Sequence, residues 1–242
     1  MDGFCNGGTP TRAIRTDRGI MDSSTEYIVW QLADSSFPTG GFAHSGALES
    51  AWRHGLVERE NMNVFCQDLV IQTSLQTGPF VAAACQMPQR IKSLDAIYHT
   101  MCASHVARRA STLQGRALLL SADRAFNLVA LRDLQASHAV GEFNAHFGPV
   151  FGAVCGLLSI EPLAAVRLLL FGVVRQAISA AVRLGIVGSL ESLPMLHAMT
   201  SQLNQAAACA MNRPPEDAAM PCPLFEIWHS SHDRLYSRLF QS

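Results

Sequence analysis

Apolar residues recur along most of this chain with the period of a helix. Between residues 61 and 77, Met62, Phe65, Cys66, Leu69 and Val70 fall at i, i+3, i+4, i+7 and i+8, which is one helix face. Gly78 ends that segment and Pro79 opens the next. Upstream, Ser23 with Glu26 three residues later forms a capping-box pattern, and an apolar run over 27–33 follows, so a first helix starts there and stops before Pro38. Ser45 can cap a second helix through Ala47, Leu48, Ala51 and Trp52, with Gly55 as its stop. Residues 93–126 read as two helices with Ser104 as a break, and 131–139 as a shorter one. From Pro162 through Leu184 runs a long helix, apolar on most of its surface and therefore central to the core; Gly185 and Gly188 terminate it. Residues 189–211 form another helix, and 213–223, with Pro214, Pro215, Pro221 and Pro223, a loop. A last amphipathic helix is expected from Leu224 to near Phe240. Alternating strand patterns bounded by Asn-Gly or Asp-Gly turns are missing. The predicted class is all-α, a single helical bundle of about eight to ten helices.

Composition changes this picture in one respect. The 242 residues are 49% hydrophobic and only 15% charged, against a usual charged share of about 25%. So little polar surface points to a large protein interface, with apolar residues scattered singly over the surface as the plainer reading. The formal net charge is -1, and no run of Lys or Arg forms a footprint for a phosphate backbone, so nucleic acid is not an expected partner. Lys92 is the only lysine among 18 basic residues, leaving guanidinium groups suited to bidentate pairing with carboxylates. The seven cysteines are odd in number, scattered and without a CxxC pair, which reads as reduced, mostly buried thiols. Residues 1–22 lack the apolar run of an export signal and read as a disordered leader. The longest uncharged apolar stretches, 143–160 and 168–174, fall short of the roughly 20 residues a membrane span needs, so no membrane partner is expected and the chain is placed in the cytoplasm.

Three common catalytic signatures are excluded. A P-loop needs a lysine directly after glycine, and Lys92 follows Ile91; HExxH is absent; and Ala43, two before Ser45, breaks the GxSxG nucleophile elbow. Among nine histidines, His229 and His232 share a face of a predicted helix with Cys222 upstream, a pattern open to nickel or zinc binding or to an ordinary solvated face. His44 lies in the Gly-rich loop, as turn residue or ligand, and a hydrolase using His44 or Glu49 is a remote third reading. In that loop, Gly40 and Gly41 permit close backbone approach between Phe37 and Phe42, either as a rigid docking loop with aromatic anchors or as a turn whose two Phe residues plug the core. The ending "EIWHSSHDRLYSRLFQS" offers a similar choice: a segment ordered on a partner, or a terminal helix packed on its own bundle.

Five blocks, "LADSSFPTGGFAHSGALESAW", "GRALL", "HFGPVFGAVCGLL", "SAAVRLGIVG" and "HDRLYSRLFQS", in this order and spacing, resemble the urease accessory protein UreF family over about residues 26–242. Where many members carry Tyr and Ser around His44, this chain carries "FAHSG". The resemblance implies one UreF-like helical domain over 23–242 and a non-enzymatic homodimer. It further implies that the protein bridges the UreG GTPase to UreD (also called UreH) in the assembly that brings nickel to apo-urease. No tightly bound cofactor is implied, since nickel is handled by the complex. Carried over residue by residue, Phe37, Pro38, Gly40, Phe42, His44, Ser45, Gly46 and Glu49 form a structural or partner-facing loop. Arg183 and Gly185 would set a helix end near an interface. His232, Arg234, Leu235, Tyr236, Ser237, Arg238, Leu239 and Phe240 are the candidate contact for UreD.

Overall fold

The computed structural model describes residues 23–242; the expected leader over 1–22 lies outside the described residues. Their regular elements are all helices, without a strand among them. The helices are α1 (Ser23–Ala33), α2 (Leu48–Arg53), α3 (Met62–Gln76), α4 (Gly78–Gln86), α5 (Ile91–Met101), α6 (His105–Phe126), α7 (Val129–Ala139), α8 (Phe147–Leu157), α9 (Pro162–Arg183), α10 (Ser189–Ala198), α11 (Thr200–Met211) and α12 (Leu224–His232).

Twelve α-helices replace the expected eight to ten, for local reasons. Residues 147–157 form α8 because Pro149 falls in its first turn, where a missing N–H costs no intrahelical bond. The segment over 189–211 divides at Met199, where the Met199 N–H donates to the Leu196 carbonyl at 3.3 Å, a 3-10-type bond. The last helix stops at His232 and leaves 233–242 non-helical, because the backbone N–H groups of Leu239 and Phe240 bond elsewhere. Several predicted boundaries hold. Ser104 caps α6 by accepting from the Ala107 N–H, Gly55 and Gly185 have positive φ just past α2 and α9, and Met62, Phe65, Cys66, Leu69 and Val70 are all buried on α3.

The centre is a helix pair, α4 against α8, with α9 laid across α3, α4, α8 and α11. Every residue from Gly148 to Cys155 is buried, as is every one from Gly78 to Cys85. Three glycines spaced by four set the α4–α8 distance. A Cβ on Gly148 would lie 2.6 Å from Thr77 Cγ2, one on Gly152 would strike the Val81 carbonyl oxygen and Ala84 Cβ, and one on Gly156 would strike the Cys85 carbonyl oxygen. The absent side chains let the two backbones meet. By length and composition α9 is the one helix among the described residues able to cross a membrane, and 56% of its apolar stretch is buried inside the bundle.

Two glycine substitutions separate close packing from helix propensity. Gly152→Ala is expected to lower stability by about 2 kcal/mol or more, because backbone cannot yield as a flexible side chain would. Gly172→Ala, mid-α9 with nothing within 4 Å of the added carbon, should be neutral or stabilising by up to about 1 kcal/mol. Thermal unfolding of both variants measures the difference.

Candidate functional site

The Gly-rich loop divides its two phenylalanines between the roles open to them. Phe37 is buried and stacks on Phe126 at the end of α6, ring centroids 6.2 Å apart, while Phe42 is 69% exposed. Pro38 is exposed, and its carbonyl accepts from the Ser121 hydroxyl at 2.9 Å. Gly40, at φ 74°, turns the chain into a single 3-10 turn over Gly41–Ala43. The loop is then tied to α9: the Gln176 amide donates to the His44 carbonyl at 2.9 Å, and Arg183 donates to the Phe42 carbonyl at 2.6 Å. Gly46 and Ala47, both at positive φ, swing the backbone into α2 with Glu49 and Ser50 buried.

Glu49 is where the loop leading into α2 meets the C-terminal tail. Its side chain is fully buried and accepts from the Leu239 N–H at 2.6 Å, the Phe240 N–H at 3.0 Å and His232 Nε2 at 3.1 Å. A carboxylate with this set of donors has replaced water by charge-assisted bonds. Around it the loop and the tail exchange further bonds. Gln241 N–H donates to the Ala43 carbonyl at 2.8 Å, and Ser45 donates to Ser242 O through its backbone N–H at 2.6 Å and its hydroxyl at 3.0 Å. His44 Nδ1 pairs with the Ser242 hydroxyl at 2.6 Å, and the Ser50 and Ser231 hydroxyls meet at 2.6 Å. The Arg183 guanidinium lies over both the Phe42 ring (3.8 Å) and the Phe240 ring (4.2 Å), so it stacks on one aromatic from each side of the junction.

Phe240 and His232 are thus committed to the chain's own interior, whereas Arg234, Tyr236, Ser237, Arg238 and Leu239 are exposed and Leu235 is half-buried. Asp233 accepts a bidentate contact from Arg109 and one bond from Arg238, and Arg109 holds its carboxyl below the usual carboxylate range. Burial pushes His44 and His229 down to about 4. Gly185 is exposed, at φ 74°, and turns the chain away after Arg183. Behind the clasp lies a cavity of about 690 Å³, walled in part by Phe240, Ser242, His44 and His229.

A family model for UreF matches residues 57–200. Urease accessory protein F of Arabidopsis thaliana is 34% identical over 225 residues, covering 91% of this chain and 94% of that one. The protein of the same name from Oryza sativa subsp. indica is 32% identical over 230 residues, covering 93% and 88%. The chain belongs to the UreF family. An uncharacterized UreF-like urease accessory protein of Schizosaccharomyces pombe, 30% identical, is covered end to end.

For this UreF-family chain, the trio of His229, His232 and Cys222 does not assemble. The Cys222 N–H donates to Gln72 Oε1 at 2.9 Å and its thiol faces the Asp68 carbonyl, while His232 is bound to Glu49. Among the described residues no group of three His, Cys, Asp or Glu side chains could hold a metal ion. The pairing of Glu49 with the tail and the Arg183 stack carry no sequence signal, since their partners lie some 190 and 57 positions away, respectively. Glu49→Gln, which keeps shape but loses charge and one acceptor, should weaken the clasp by about 1.5–3 kcal/mol. Tryptic cleavage after Arg238 should then accelerate about 10- to 100-fold, with α8 still intact by mass spectrometry.

Proposed function

We propose that this chain is a non-catalytic scaffold in urease maturation, and that the outward face of its clasped tail is the docking surface for UreD/UreH. The observation that carries this reading is the division of labour along 232–240. His232 and Phe240 face inward and fix the backbone, while Arg234, Tyr236, Arg238 and Leu239 project outward, Tyr236 fully exposed. Arg and Tyr dominate the binding energy of known interfaces, and a segment already held in shape loses less entropy on docking. Residues 233–242 lie beyond α12 as non-helical chain packed on the protein's own bundle. Kinship with proteins named for urease assembly supplies the biological setting.

On this reading the chain forms a homodimer in the cytoplasm, bridges UreD/UreH to the UreG GTPase and apo-urease, and serves the delivery of nickel without a tightly bound cofactor of its own. It engages neither nucleic acid nor membrane. Scarce charge and exposed apolar residues such as Leu190, Leu193 and Trp30 suit a protein that spends its surface on partners.

Two measurements test the reading. Light scattering of the isolated protein should give twice the 26.2 kDa chain mass, and a strict monomer would contradict the dimer. The double variant Arg234→Ala with Tyr236→Ala should lose about 100-fold in affinity for UreD/UreH while melting within about 2 °C of wild type. Undiminished affinity would remove the tail from the interface.

A further inference from the structure

The clasp holds three histidines, of which His232 bonds the Glu49 carboxylate through Nε2. His44 bonds to the tail through Ser242, and His229 lies one turn before His232 on α12. The Nδ1 atoms of His229 and His232 are shut off from solvent and have no hydrogen-bond partner among the described residues. For His229 that environment suits a neutral imidazole. When His232 donates Nε2–H to Glu49, its Nδ1 is a bare lone pair, and a lone pair tolerates an empty apolar contact better than an N–H donor does. Adding a proton at Nδ1 of His229 creates a buried donor with nothing to accept it among the described residues.

The charges facing this cluster do not neutralise added protons. From α2 comes Glu49, from α12 itself Glu226, whose carboxylate already accepts from the Ser104 N–H. From α6 come Arg109 and His105, both directed at Asp233, which also holds Arg238. Arg183 on α9 adds positive charge beside Phe240, Arg53 on α2 reaches Ser237, and Asp68 on α3 sits at the Cys222 end of α12. Glu49 is already taken by His232 and two tail amides, and Glu226 by the Ser104 N–H, so protons added at His44 and His229 meet no unpaired carboxylate among those named.

We propose that residues 233–242 form a proton-sensitive latch, closed at neutral pH and released on mild acidification while the helical bundle stays folded. Release exposes Phe240 and removes Phe240 and Ser242 from the wall of the cavity. Its effect on partner docking rests on the tail-docking reading above; the opening itself does not. His44, held at about 4 while bound to Ser242, returns toward 6.5 when the tail leaves, and His229, also at about 4, gains solvent as Phe240 and Ser242 withdraw from the cavity wall they share with it. Because the latched values are depressed, the closed state is fully favoured above pH 6.5 and loses ground as pH falls from 6.5 toward 4. The closed-to-open ratio drops by up to about tenfold per pH unit for each histidine.

Hydrogen exchange of the isolated full chain, followed by mass spectrometry and corrected for intrinsic rates, reads this directly. Peptides covering 233–242 should lose at least tenfold in protection between pH 7.5 and 5.5, with α8 peptides unchanged. In the variant His44→Asn with His229→Gln, the loss should shrink to threefold or less. Constant tail protection down to pH 5.0 in wild type would overturn the latch, as would simultaneous loss in the tail and α8. A variant that keeps the full wild-type pH dependence would overturn the assignment to these histidines. No partner is present, so failure here is distinct from failure of the docking reading.

Discussion

The buried carboxylate of Glu49 is the interaction on which the candidate site depends. An unpaired carboxylate in a dry interior is costly, and among the described residues it is satisfied by two backbone N–H groups of the tail and the His232 imidazole at the end of α12. The loop that contains Glu49 and the tail that saturates it therefore stand or fall together. Everything else in the clasp, from the Ser45 bonds to the Arg183 stack, adds to a contact that Glu49 makes obligatory. The same contact ends α12 at His232, since a helical tail could not turn the Leu239 and Phe240 N–H groups toward one carboxylate.

The clasp in turn rests on the position of α9, whose Gln176 and Arg183 hold the loop from below. That position follows from the α4–α8 pair on which α9 lies, brought together by Gly148, Gly152 and Gly156. A chain of cause thus runs from three missing side chains in the core to an aromatic stack at the surface. Close packing makes such coupling stiff, because interiors at crystal-like density cannot absorb a displaced helix.

Much of the fold was legible in the sequence because helix periodicity and caps are local. The α3 stripe, the Ser104 cap, the glycine stops and the central apolar helix all depend on residues within a turn or two of one another. Two departures were local, a proline at the start of α8 and a 3-10 turn dividing α10 from α11, and one was not, a tail whose N–H groups bond an acceptor some 190 residues away. The site was legible only as two separate motifs. Family resemblance marked Glu49 and the tail as important, but no spacing rule could reveal that they touch, nor that Phe37 and Phe42, five residues apart, serve opposite roles. Histidine spacing suggested a metal trio at His229, His232 and Cys222, which burial and the orientation of Cys222 disperse.

The central claim is that Glu49 holds the tail backbone, and amide exchange resolved by residue tests it most directly. In the isolated chain at neutral pH, the Leu239 and Phe240 amides should exchange at least about 100-fold more slowly than those of Tyr236 and Ser237, which Glu49 does not hold. Equal, fast exchange at all four would mean that the carboxylate does not clamp the tail, and the account of the site would fail with it.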